Sequence, residues 1–279
     1  MNKIEYLGHS AVSGFIEWAY PLLDTPGALV HEYVSIKTKS RFRCVSLYDA
    51  YQNYSWTAGF DGPDGRRYSG KSLEENEQLL DMLSCSLRES VSNGDANKCL
   101  RTCIAIQDWG GTRRNIDTLN KIGEEIVDYL REMMIRLDTE SFELGERRSD
   151  KSNHMTSGFS KIYALLLDDF LIYDSRVSAA LCMLVRRFCL EKDLPAVPEP
   201  LKFALGLGRS AANRDPSCSK YKFSKLTYVN SNNYLDNNMR SNWLMSGLLD
   251  FGSNRFLDLP RNKRLLALGN ALFMIGYEV

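Results

Sequence analysis

Along the middle of the chain, apolar residues recur at three- and four-residue intervals, the spacing that lines one face of an α-helix. Leu79, Leu80, Leu83 and Leu87 keep that period behind Ser72-Leu73-Glu74-Glu75. This tetrapeptide reads as a capping box, in which the serine hydroxyl accepts from the amide three residues on and the glutamate reaches back. A second helix is predicted from Asp95 to Gly110-Gly111, where residues without Cβ can turn the chain. From Ile116 one stripe (Leu119, Ile122, Ile126, Tyr129, Leu130, Met133, Leu137) predicts about six helical turns. Further helices are predicted at 158–168, 175–191, 199–206, 239–250 and 261–275. An exposed polar connection is predicted between Glu140 and His154, and a loop at Val229–Asn238, which holds five asparagines.

The first 70 residues lack so clear a period. Leu29 to Ile36 is rich in Val and Ile and suits a short strand or a helix. Tyr48, Tyr51, Tyr54 and Trp56 fall within nine residues. They suit either a helix–core contact or a platform on which bases stack. Gly62-Pro63-Asp64-Gly65 is a turn. The pattern predicts a mainly α fold, with an irregular N-terminal segment over 1–70 and one or more helical domains over 71–279.

Composition narrows the function classes. Hydrophobic residues make up 44% and charged residues 25% of the 279, which suits a globular chain and excludes extended disorder. Thirty-five basic residues balance 35 acidic ones, but unevenly: 11 against 17 over 70–150, and 11 against six over 195–279. The basic tail is thus the part suited to meet an anion. No apolar run approaches the roughly 20 residues of a membrane span. The N-terminus lacks the apolar core of a signal peptide. Seven cysteines without a CxxC pair fit a reducing compartment, so the expectation is a soluble, cytoplasmic protein without membrane contact.

Several chemistries have no sequence support. His9, His31 and His154 share no metal-ligand spacing with each other or with a cysteine, so no metal is expected. No P-loop, GxGxxG or GxSxG pattern is present, and GLGRS at 206–210 lacks the later glycine and lysine of a nucleotide loop.

Residues 157–181, SGFSKIYALLLDDFLIYDSRVSAAL, read as a turn at Gly158, an apolar helix, a loop, and a second helix capped by Asp174. Lys161 stands in the first turn, where the helix dipole disfavours a cation. This 25-residue segment resembles the helix–hairpin–helix DNA glycosylases, the superfamily of endonuclease III, MutY and the 8-oxoguanine glycosylases. Gly158, Lys161 and Ala164 resemble the hairpin glycine, the lysine nucleophile and the small helix residue of that family. Tyr173-Asp174-Ser175-Arg176-Val177 looks like its aspartate turn. The chain departs in having Ser160 for the second hairpin glycine. Lys161 also lies 13 residues before Asp174, about five fewer than in the family.

The resemblance implies Lys161 and Asp174 as catalytic residues, with nucleic-acid contacts at Gly158, Ser160 and Arg176. It implies duplex DNA as the partner and, with no cysteine cluster following, no iron–sulfur cofactor. Two other segments suit phosphate or base contacts: Trp109 with Arg113 and Arg114 on a turn, and Arg209 and Arg214 in the basic tail. Each also reads as an ordinary solvated connection. The expected activity is hydrolysis of the N-glycosidic bond of a flipped, modified nucleotide. The alternative is a non-catalytic helical component that binds DNA or a protein, for example in DNA repair or in defence against foreign DNA.

Overall fold

The computed structural model describes residues 1–36, 38–145, 154–206, 208, 211–227 and 231–279. The chain opens with α1 (Lys3–Leu7) and α2 (Ser10–Ala19). Two antiparallel hairpins follow, β1 (His31–Val34) with β2 (Arg41–Cys44) and β3 (Ala58–Asp61) with β4 (Arg67–Gly70). Between them lies α3 (Leu47–Gln52). The rest is helical: α4 (Leu73–Asn93), α5 (Ala96–Trp109), α6 (Ile116–Ile122), α7 (Ile126–Arg136), α8 (Ser157–Leu166), α9 (Ser175–Glu191), α10 (Ser231–Asp250) and α11 (Arg261–Ile275). The mainly α class therefore holds. Among the described residues, no helix is long and apolar enough to cross a membrane.

Local signals set most boundaries. Ser72 Oγ accepts from Glu75 N at 3.2 Å, and Glu75 Oε2 accepts from Ser72 N at 2.9 Å, so both halves of the capping box form. Asp95 caps α5 through Lys98 N at 2.9 Å. Leu29–Ile36 resolves as strand β1, with Tyr33 opposite Phe42. Tyr48 and Tyr51 lie on α3 and pack against Phe256, as a helix–core contact does.

Three expectations change. The stripe from Ile116 is not one helix, because Gly123 has φ 56° and ψ −126°, which no α-helix contains. A short 3-10 turn at Gly123–Glu125 joins α6 to α7. The helix expected at 199–206 shrinks to a 3-10 turn at Glu199–Leu201, between Pro198 and an extended run in which Leu205 N bonds Ser224 O. The loop expected at Val229–Asn238 is helical from Ser231 onward. Residues 146–153 of the predicted polar connection lie outside the described residues.

The asparagines explain the helix at 231–250. Asn242 Oδ1 accepts from Leu171 N at 2.7 Å, and Asn238 Nδ2 donates to Leu171 O at 2.9 Å. Asn237 Oδ1 accepts from Ala204 N at 2.8 Å, while the Tyr234 hydroxyl donates to Tyr173 O. Extended segments around Leu171 and Ala204 thus find on the side chains of α10 the partners that a sheet would give them. Local propensity reads Asn as a turn former; burial beside unpaired backbone makes it the right helix residue here. This clasp fixes the loop that carries Asp174. Asn242→Leu should leave the buried Leu171 amide unpaired and cost about 1–3 kcal/mol of stability, read as a lower urea midpoint.

Candidate active site

Asp174 divides its carboxylate between two tasks. Oδ1 accepts from Arg176 N at 2.9 Å and Val177 N at 3.0 Å, capping α9. Oδ2 lies 3.9 Å from Lys161 Nζ. Lys161 is buried one turn into α8, and its ammonium also donates to Ser157 O at 2.9 Å. Burial pushes the lysine below its ordinary value, and the Asp174 charge partly offsets this. The stem of Lys161 crosses α5 where it ends: a Cβ on Gly110 would stand 2.4 Å from Lys161 Cδ, so only glycine admits it.

Lys161 and Asp174 stand between two spaces. The inner one is a cavity of about 50 Å³ walled by Tyr54, Trp56, Trp109 and Phe273, with Asn270 among the other lining residues. The outer one is a cleft of about 750 Å³ that carries Arg113, Arg114, Arg176 and Arg214. Trp56, Gly110, Lys161, Asp174 and Phe273 line both. The indole walls are fixed through Asn76, which is fully buried. Trp109 Nε1 donates to Asn76 Oδ1 at 3.1 Å, Asn76 Nδ2 to Trp56 O at 2.9 Å, and Trp56 Nε1 to Trp109 O at 2.8 Å.

The cleft arginines differ in their support. Arg176 lies 4.1 Å from the Phe273 ring and 4.8 Å from that of Tyr277. Tyr277 stacks in turn on Tyr33, and Tyr33 on Phe42. Arg214 Nη1 donates to Ser175 Oγ at 2.6 Å. Burial pushes both guanidiniums below their ordinary value; Arg176 adds to this at Arg214, while Asp174 opposes it at both. Arg113 bonds Asp108 at 2.6 Å, and Arg114 is exposed with no partner among the described residues.

The residues singled out in the sequence thus fall into groups. Lys161, Asp174, Arg113, Arg114, Arg176 and Arg214 share the outer cleft, and Trp109 walls the inner cavity rather than presenting a face on the surface. Gly158 and Ser160 are corrected. Both are buried inside α8, Gly158 against Gln107 and Asn115, and Ser160 donates to Ser157 O, so neither offers a surface to nucleic acid. Arg209 lies outside the described residues. The basic tail is partly neutralised, with Lys220 on Asp193 and Lys225 near Asp215. Among the described residues no cluster of His, Cys, Asp or Glu could hold a metal ion.

Sequence reading missed Asn270 and Phe273 as lining residues, and offered Tyr54 and Trp56 only as one of two readings of their aromatic cluster. The available signal was one amide, Asn270, within the apolar run Leu265–Ile275. Asn270 and Phe273 are three apart and share a helix face.

The lowered Lys161 value has a pH signature. The folded state holds this proton more weakly than the unfolded chain, so stability rises with pH between the folded value and the unfolded one near 10.4. Lys161→Met should therefore be more stable than the parent at pH 7, with the gap narrowing toward pH 10. Urea unfolding across this range reads it, and parallel curves would contradict it.

No protein-family model, curated protein or solved structure matches this chain, so the reading of the site rests on its own residues.

Proposed function

We propose that this chain binds duplex DNA and acts as a DNA glycosylase of the helix–hairpin–helix type, hydrolysing the N-glycosidic bond of a flipped, modified nucleotide. One observation carries this reading. A buried lysine and a helix-capping aspartate, 3.9 Å apart, stand where an arginine-lined cleft meets an aromatic-walled cavity. The order of α8, loop, Asp174 and α9 supports the family resemblance.

Each part has a chemical task in this reading. The glycosidic carbon is out of reach in a stacked duplex, so the nucleotide must leave the helix. The cleft arginines hold its flanking phosphates, and the aromatic walls take the base. As the base departs, positive charge grows on the sugar ring, and Asp174 Oδ2 stabilises it. Lys161, its neutral form favoured by burial, attacks C1′ with its lone pair as the C1′–N bond breaks. The base leaves with the bonding pair and takes up a proton, Nζ loses a proton and stands in its place on C1′, and the C1′–O4′ bond then opens, with O4′ taking up a proton, to give the imine between Nζ and C1′.

Two variants separate these tasks. Asparagine caps a helix as well as aspartate, so Asp174→Asn should keep the start of α9, while loss of the counter-charge to the buried Lys161 should lower the urea midpoint. Base release should also fall roughly a hundredfold, the size of losing one electrostatic stabiliser. A fully active Asp174→Asn enzyme would remove the aspartate from the chemistry.

Borohydride reduces an imine to a stable protein–DNA cross-link. On a panel of damaged duplexes, the cross-link should map to Lys161 by mass and vanish in Lys161→Gln. Base release without any cross-link would leave Asp174 and water as the hydrolytic machinery. Duplex binding with neither product would leave a non-catalytic DNA-binding component.

A further inference from the structure

The inner cavity holds two polar groups that the rest of the protein leaves alone. The Tyr54 hydroxyl and the Asn270 carboxamide have no hydrogen-bond partner among the described residues. Tyr54 is 5% and Asn270 7% exposed, and both side chains line the cavity. Neither has a sealed, unpaired polar atom, so each keeps contact with the cavity space. Apart from Lys161 and Asp174, the side chains around them are apolar, among them Trp56, Trp109, Val177, Leu266 and Phe273. A protein built for stability alone would place a phenylalanine and a leucine here, because a near-buried polar group without a partner costs free energy.

We infer that Tyr54 and Asn270 are the edge-reading residues of the inner cavity, and that the base it admits is a neutral heterocycle presenting an adjacent hydrogen-bond donor and acceptor to the Asn270 carboxamide. This rests on the glycosylase reading of the site. The carboxamide offers one N–H donor and one C=O acceptor side by side. It therefore pairs in two-pronged fashion with an edge such as a ring N–H beside a carbonyl, or an amine beside a ring nitrogen. Two neighbouring acceptors, as on the O6/N7 edge of guanine, leave the Asn270 carbonyl facing a lone pair. A base alkylated on the ring nitrogen of that edge lacks the pairing atom. Tyr54 adds a hydroxyl that donates or accepts, and its ring packs 5.7 Å from Phe273. Asn270 and Phe273 project from one face of α11, so one rigid helix presents both the reading amide and a stacking ring.

The test compares the full chain with Tyr54→Phe and Asn270→Leu, both close in shape to the original side chains. Probes are otherwise identical duplexes carrying a tetrahydrofuran abasic analogue, hypoxanthine, uracil, 8-oxoguanine or 7-methylguanine, or no modification. The parent's preference for its best base over unmodified guanine should fall about 10- to 100-fold in Asn270→Leu, the scale of one two-pronged base contact. Tyr54→Phe should show a smaller loss. Binding of the tetrahydrofuran duplex, which has no base to read, should stay within about twofold. The melting temperature of both variants should equal or exceed that of the parent, since each removes an unpaired polar group.

Unchanged base preference in Asn270→Leu would overturn the inference. So would a large fall in melting temperature, which would make the two groups structural. A parent that binds the tetrahydrofuran duplex no better than the unmodified one would instead remove the flipped-nucleotide reading beneath it.

Discussion

The site depends on one carboxylate held in one place. Asp174 satisfies two first-turn amides of α9 with one oxygen and faces the Lys161 ammonium with the other. A buried lysine without a counter-charge would be strongly unfavourable, and a helix start without a cap would leave donors unpaired. Both conditions are met by a single side chain, so its position cannot drift. The asparagines of α10 supply the constraint from behind, by clasping the backbone at Leu171 three residues before Asp174.

Around this pair the protein arranges opposite environments a few ångströms apart. Aromatic rings and aliphatic side chains make the inner cavity, where electrostatic interactions are strengthened by the exclusion of water. Arginines line the outer cleft although the chain is neutral overall, so a local field exists that total charge conceals. Arg176 belongs to both environments. Its guanidinium rests on Phe273 and Tyr277, and the stack continues through Tyr33 to Phe42 on the β1–β2 hairpin. The N-terminal hairpin is thereby packed into the wall of the site, and one hydrophobic cluster extends from Tyr6 to Ile275.

Stability is given up at the same place. Lys161 is buried against its preference for water, and Tyr54 and Asn270 lack partners. Elsewhere buried polar groups such as Asn76, Gln107 and Asn242 are hydrogen-bonded to backbone or side chain. Unpartnered buried atoms also occur away from the cavity, at His31 Nε2, Arg186 Nε, Asn238 Oδ1 and Arg240 Nε, so what sets the cavity apart is that its polar groups face an open space.

What the sequence determined was local. Helix caps at Ser72, Asp95 and Asp174, the ends of α5 and α9, and the mainly α class follow from interactions spanning a few residues, which periodicity and capping chemistry make visible. The Lys161–Asp174 segment stood out for the same reason, since a cation in the first turn of an apolar helix contradicts its surroundings. Tertiary structure decided the rest. It turned the asparagine-rich stretch into helix, because partners at Leu171 and Ala204 lie far away in the chain. It buried Gly158 against Gln107 and Asn115, and Ser160 within α8. It assembled the cavity from Tyr54, Trp109, Lys161, Asp174 and Asn270, residues separated by up to 216 positions. Short-range patterns report hydrogen bonds within a turn; a cavity is made by surfaces that meet only when the chain packs, and the packing energy that selects them is spread over the whole core.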